Sequence, residues 1–168
     1  LAEVTEADWD LTLDVNLKGA FLAMQAAAPY IAESGTRGRI VAISSDAGKK
    51  GYPSITAYTA SKFGLIGLVE SVAVELAGYG VTVNAVCPSG APSTGMGQDV
   101  LALKVAATGK SAEQVQADAA RTLPLARNAT VDDVAAAIEF LISDGAAYVT
   151  GSTIDVDGGA RLGYLPGT

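Results

Sequence analysis

The chain has 168 residues, 49% of them apolar and 17% charged, a balance suited to a packed core rather than to disorder. Its net charge of −7 and pI near 4.4 argue against nucleic acid, which demands clustered Lys and Arg. With no histidine and a single cysteine, Cys87, it offers no Ser-His-Asp or Cys-His nucleophile, no His-based metal site and no internal disulfide.

No apolar run reaches the ~18 residues of a membrane span, and no basic-plus-apolar signal opens the chain. A single soluble, cytoplasmic domain is the expectation. In residues 1–35, Trp9, Leu11, Leu13, Val15 and Leu17 alternate with polar residues as in a strand. Thr5-Glu6-Ala7-Asp8 has capping-box spacing, however, and Trp9, Leu13, Leu17, Phe21 and Met24 continue a helical stripe too long for a strand. A helix from about Glu6 to Ile31 is predicted, then a turn over Glu33–Gly38.

Arg39-Ile40-Val41-Ala42-Ile43-Ser44 is a short, nearly continuous apolar run, the pattern of a strand covered on both faces in a parallel sheet. A loop rich in Gly and Lys leads to a long helix from about Ile55 to Ala77, stopped by Gly78 and Gly80. Val81–Val86 is the next strand. Pro88 to Gly97, with two prolines and three glycines, reads as a loop. Residues 99–123 read as one or two short helices. Thr130-Val131-Asp132-Asp133 repeats the capping-box spacing ahead of a helix to about Ile142, and Ser152–Val156 is a last strand. Alternating helices and buried strands imply an α/β fold with helices on both faces of a parallel sheet.

The chemistry concentrates between the first strand and the long helix. Tyr58 and Lys62, four apart at the start of a helix, project from one face about one turn apart. A phenol has a pKa of ~10, so as a general base near neutrality it needs a nearby cation. Lys62 is placed to supply one, and Ser45, ending the strand, can hydrogen-bond a carbonyl or alcohol oxygen. None of these groups carries a hydride, so a redox cofactor has to be brought in. Ser44 reads as structural, Cys87 as a small buried hydrophobe, and Asp132, Asp133, Asp155 and Asp157 as helix-start or strand-flanking residues rather than metal ligands.

In these features the sequence resembles the short-chain dehydrogenase/reductase family. Tyr58-Thr59-Ala60-Ser61-Lys62 fits its Tyr-x-x-x-Lys signature, and Ser45 lies thirteen residues before the tyrosine. Asn16 in Asp14-Val15-Asn16-Leu17-Lys18-Gly19, Val83-Asn84-Ala85-Val86-Cys87-Pro88, and Tyr148-Val149-Thr150-Gly151 through Val156-Asp157-Gly158-Gly159 match in the family's order. The resemblance implies a catalytic set of Asn16, Ser45, Tyr58 and Lys62. Tyr58 would be the acid/base, and Lys62 would lower its pKa and hold the nicotinamide ribose. Ser45 would position the substrate oxygen, and Asn16 would anchor a water linking Lys62 to solvent. NAD or NADP would be the cofactor, contacted by Tyr58, Lys62, Pro88, Ser89, Gly90, and Ser93 or Thr94. A secondary alcohol or its ketone would be the substrate. A homotetramer is also implied, with the helices at 6–31 and 55–77 pairing across an interface through a small-residue face at Ala57, Ala60, Gly64 and Gly67.

The sequence departs from the family pattern twice. The glycine-rich dinucleotide turn is absent, so residues 1–168 are expected to form the C-terminal portion of one Rossmann-type, doubly wound domain whose first strands are missing. Arg39–Ser44 would then bare an apolar edge. A longer protein, or association with a chain supplying the other half, is expected. The loop also reads Pro88-Ser89-Gly90-Ala91-Pro92-Ser93-Thr94, where the family has Pro-Gly and a threonine five after the proline; Ser93 has that spacing. Two rival readings are a catalytically silent structural fragment and a Ser-Lys hydrolase using Ser44 or Ser45 with Lys62.

Overall fold

A computed structural model describes residues 1–35 and 38–163. Three parallel strands, β1 (Arg39–Ile43), β2 (Thr82–Pro88) and β3 (Thr153–Val156), form one sheet in the order β1-β2-β3. Helices α1 (Glu6–Leu13) and α2 (Gly19–Glu33) precede β1, and α3 (Thr56–Ala77) crosses from β1 to β2. Helices α4 (Gly95–Thr108), α5 (Ala112–Arg121) and α6 (Val131–Ile142) fill the connection from β2 to β3. Among the described residues no helix is long and apolar enough to cross a membrane.

The core follows from strand alternation. Ile40 and Ala42 of β1 stand beside Val83 and Ala85 of β2 in register, so all four point to one face. Met24 of α2 and Leu65, Val69, Ala73 and Leu76 of α3 pack on that face. Burying an aliphatic side chain such as Val69 or Leu65 stabilises by about 1.5–3 kcal/mol. Helix α6 contacts all three strands without joining this cluster, which puts it and fully buried Leu141 on the opposite face. The expected layering of helices on both faces is present.

Several expectations are corrected. Coverage on both faces holds for β2, which is buried from Thr82 to Cys87, but not for β1, where only Ala42 is fully buried and Ile43 is 44% exposed. The reason is position: β2 lies between two partners, whereas β1 is the sheet edge. A groove of about 510 Å³ opens there between α2 and β1, lined by residues including Ala23, Ala27, Ile40 and Ile43. The predicted bare edge is therefore seen. The long first helix is interrupted by a π turn at Asp14–Lys18, where the Gly19 N–H bonds the Asp14 carbonyl. Glycine-rich residues expected to be loop are partly helical, because the Thr94 hydroxyl accepts from the Gly97 N–H and caps α4. Gly97 is required there: a Cβ would lie 2.0 Å from the Ala91 carbonyl oxygen. Of the predicted turn over Glu33–Gly38, residues 36 and 37 lie outside the described residues.

The capping boxes at Thr5/Asp8 and Thr130/Asp133 form as expected. Gly64 has a role within the chain itself. A Cβ on it would lie 2.8 Å from a Leu17 methyl, so its smallness admits the chain's own π turn against α3.

Candidate active site

Because the three strands are parallel, their C-terminal ends share one edge of the sheet, where parallel α/β folds place ligands. Ser44 and Ser45 leave β1 there, Pro88, Ser89 and Gly90 leave β2, and Asp157 leaves β3. Helix α3 begins beside them, so Tyr58 and Lys62 on its first two turns reach the same edge.

Ser44 is buried and its Oγ donates to the Lys62 carbonyl at 3.1 Å, fixing β1 to α3. Gly48, in the short 3₁₀ turn Asp46–Gly48, makes the close approach possible: a Cβ would lie 2.6 Å from Ser44 Oγ and 2.9 Å from the Lys62 carbonyl oxygen. Ser45 is 8% exposed; its Oγ accepts from the Ala47 N–H at 3.1 Å and donates to Asp46 Oδ1 at 3.1 Å.

Lys62 Nζ lies 5.5 Å from the centre of the Tyr58 ring and donates to the Ile43 carbonyl at 3.0 Å. Burial pushes the amine below the ordinary lysine value, because a desolvated ammonium is disfavoured. Asn16 sits in the π turn, and its Nδ2 donates to Ser61 Oγ at 3.1 Å. Ser61 is fully buried and donates to the Tyr58 carbonyl at 2.7 Å. Asn16 thus reaches the first turn of α3 through Ser61.

Asn16, Ser45, Tyr58 and Lys62 are brought to one region, where α3 contacts both the π turn and the 3₁₀ turn. The expected cofactor loop follows β2. The Ser89 N–H donates to the Val156 carbonyl at 3.1 Å, while Ser89 Oγ is buried without a hydrogen-bond partner among the described residues. A buried hydroxyl left unpaired costs about 1–3 kcal/mol, so this loop fits a ligand that supplies a polar partner. Gly90 and Ser93 are exposed, and the Thr94 hydroxyl is committed to the α4 cap, donating to the Ala91 carbonyl at 2.9 Å.

Sequence reasoning gave no role to Asp46, Lys49 and Ser61, and placed Tyr52 only in the loop expected to shape the substrate pocket. The Tyr52 hydroxyl donates to Asp46 Oδ2, and Lys50 Nζ stands 4.9 Å above the Tyr52 ring. Burial first, and the Asp46 hydrogen bond second, raise the Tyr52 phenol well above its ordinary value. Lys49 pairs with Asp155 on β3, and Lys50 Nζ donates to the Ala160 carbonyl at 3.1 Å, tying the Ser45 turn to the chain after β3. Of these only Ser61 had a sequence signal, its place one residue before Lys62. The others depend on how the 3₁₀ turn folds. Cys87 is fully buried, and burial pushes its thiol up, as for a structural cysteine.

Hydrolytic pairing of a serine with Lys62 has no support here. Ser44 Oγ bonds the lysine carbonyl, Ser45 Oγ bonds Asp46, and the lysine amine bonds Ile43. What remains is a phenol, an ammonium and a hydroxyl at a sheet edge, able to move a proton on and off an oxygen.

Comparison with known proteins gives the same direction. Residues 1–161 match the profile of a family described as enoyl-(acyl carrier protein) reductase. Over 153 residues the chain is 42% identical to 2-(S)-hydroxypropyl-CoM dehydrogenase 3 of Xanthobacter autotrophicus, covering 91% of this chain and 57% of that protein. It is 40% identical to the rat (3R)-3-hydroxyacyl-CoA dehydrogenase over 159 residues, 95% of this chain and 57% of the relative. The chain therefore spans under three fifths of the length of these relatives. Among solved structures, sorbitol-6-phosphate 2-dehydrogenase from Erwinia amylovora superposes with a TM-score of 0.88 at 36% identity, covering 95% of this chain and 62% of that one. An actinorhodin polyketide ketoreductase with NADPH gives a TM-score of 0.85 at 35% identity, covering 95% and 61%.

Proposed function

The chain belongs to the short-chain dehydrogenase/reductase family, and we propose on that footing that it carries the proton-transfer centre of an NAD(P)-dependent oxidoreductase acting on a secondary alcohol or its ketone. The observation that carries this reading is the convergence of Ser45, Tyr58 and Lys62 at the C-terminal end of β1, with the ammonium 5.5 Å from the phenol ring. The relatives' names as dehydrogenases and a ketoreductase support it.

When bound, the nicotinamide supplies or accepts the hydride. The chain's own residues handle the proton. Tyr58 takes it from the alcohol oxygen in oxidation and returns it to the ketone oxygen in reduction. Lys62 is the nearby cation, its Nζ 5.5 Å from the centre of the Tyr58 ring. Ser45 holds the substrate oxygen. Asn16 acts through Ser61, whose bond to the Tyr58 carbonyl steadies the turn that carries the phenol. Pro88, Ser89 and Gly90 border the cofactor, with the unpaired Ser89 hydroxyl as the strongest local support. Ser93 is assigned to the carboxamide in preference to Thr94, whose hydroxyl is already engaged. We assign the whole protein to the cytoplasm, as a homo-oligomer.

The test is Tyr58→Phe in the full-length protein. Turnover of an alcohol–ketone pair should fall by about 10²–10⁴-fold, the usual worth of a positioned acid/base. NAD(P)H binding, followed by its fluorescence, should persist. Undiminished turnover would refute the assignment.

A further inference from the structure

Resting on the assignment of Ser45 as the group that holds the substrate oxygen, we propose that Asp46 and Tyr52 are positioning residues that turn the Ser45 hydroxyl into a hydrogen-bond acceptor, so that the site favours the alcohol over the ketone in ground-state binding. A serine hydroxyl has one proton to donate and two lone pairs to accept with. In this structure the proton is directed at Asp46 Oδ1, 3.1 Å away, and one lone pair takes the Ala47 N–H. The remaining function of Ser45 is a single lone pair. That lone pair can receive a proton donor such as an alcohol O–H. A ketone oxygen carries no proton, and to bond it Ser45 has to withdraw its proton from Asp46.

The carboxylate is held in place for this task from its other side. Tyr52 donates its hydroxyl to Asp46 Oδ2, leaving Oδ1 for Ser45. Tyr52 is itself fixed, with Lys50 Nζ above its ring and Lys50 in turn bound to the Ala160 carbonyl. Ser54, with φ +69, makes a left-handed turn that leads the chain from Tyr52 into α3. The charged groups around this clasp are Lys49 and Lys50 on its own loop, Asp155 and Asp157 from the end of β3, and Lys62 on α3. The raised Tyr52 phenol agrees with a proton held firmly toward the carboxylate.

The test has two arms. Neutron diffraction on deuterium-exchanged crystals of the full-length protein should place the Ser45 deuteron between Oγ and Asp46 Oδ1. A deuteron aimed away from Asp46 overturns the proposal whether or not the protein turns over any substrate. The second arm uses acetoacetyl and 3-hydroxybutyryl N-acetylcysteamine thioesters as a ketone–alcohol probe pair. Asp46→Ala should lower the ketone-to-alcohol KM ratio by about fivefold, the usual net worth of one hydrogen bond. Tyr52→Phe, which frees the carboxylate without removing it, should shift the ratio the same way by less. A folded Asp46→Ala protein with an unchanged ratio overturns the proposal. If the wild-type protein turns over neither probe, the substrate reading of the previous subsection is what has failed, and the deuteron position decides the proposal.

Discussion

Two regions of the molecule, the strands with the start of α3 and the pair α4 and α5, are built on opposite principles. Around the strands and the start of α3, Ser44, Ser61 and Asn84 are buried polar residues whose hydrogen bonds link elements far apart in sequence. Between Gly95 and Arg121, α4 has no buried residue and α5 has only Val115. Those two helices are held by their own devices: the Thr94 cap, the Ser111/Gln114 capping box, left-handed Gly109 between them, and the Lys110–Asp118 ion pair at 2.6 Å. Exposed pairs of that kind contribute little to stability. The region around Ser44, Ser61 and Asn84 is thus fixed by long-range contacts, whereas α4 and α5 are fixed locally. Elements of the second kind open at lower free energy than the global unfolding transition.

The sharpest way to break this contrast is to damage each region by one side chain. Leu65→Ala removes a residue that is 3% exposed beneath the Tyr58 and Lys62 turns, and should cost about 2–5 kcal/mol in denaturant unfolding. Gly48→Ala forces a methyl against the Lys62 carbonyl and Ser44 Oγ, and should cost about 1–3 kcal/mol while also depressing turnover through the displaced lysine. Thr94→Ala removes only a cap. Hydrogen exchange should show about 1 kcal/mol of lost protection confined to the first turns of α4, with the global midpoint little changed. A Thr94→Ala protein destabilised globally as much as Leu65→Ala would erase the distinction between the two regions.

Titration sharpens the contrast with the smallest effects. The Tyr52 phenol is raised above 10.0 in the folded chain, so its contribution to stability is complete below that pH and is lost as pH rises beyond it. Lys62 is lowered below 10.5, so the unfolded chain binds the extra proton and stability is gained as pH climbs through the window just under that value. Following tyrosinate absorbance at 295 nm, Tyr52 should ionise late, and Tyr52→Phe should remove that late step.

How much of this was legible in the sequence depended on whether a feature was local. The capping boxes at Thr5 and Thr130 are four-residue signals and form as read. The run Val81–Val86 read as a strand, and the strand that forms, Thr82–Pro88, is buried from Thr82 to Cys87 and flanked on both sides. Arg39–Ile43 has the same apolar texture but half the neighbours, a fact of sheet order rather than of composition. That Ser45, Tyr58 and Lys62 come to one edge of the sheet was legible in their spacing, because a strand end and a helix start convert spacing into geometry. The Asp46–Tyr52 contact escaped because it spans a 3₁₀ turn and a left-handed Ser54, neither of which has a period to read. The π turn escaped for a related reason: the stripe from Trp9 to Met24 runs through it without a break in hydrophobicity.

That π turn makes residue count in the first helix a setting of phase as well as of length. One residue more than an α-helix would use is taken up between Asp14 and Gly19. Each residue of an α-helix advances the chain by about 100°. Straightened into continuous α-helix with no residue removed, the segment would swing residues 6–13 by about that angle relative to α2, carrying Trp9 and Leu13 around the axis together, whereas deleting Val15 would leave them in place. The inserted residue works as a rotational offset between two halves of one rod, and Asn16 stands at the joint.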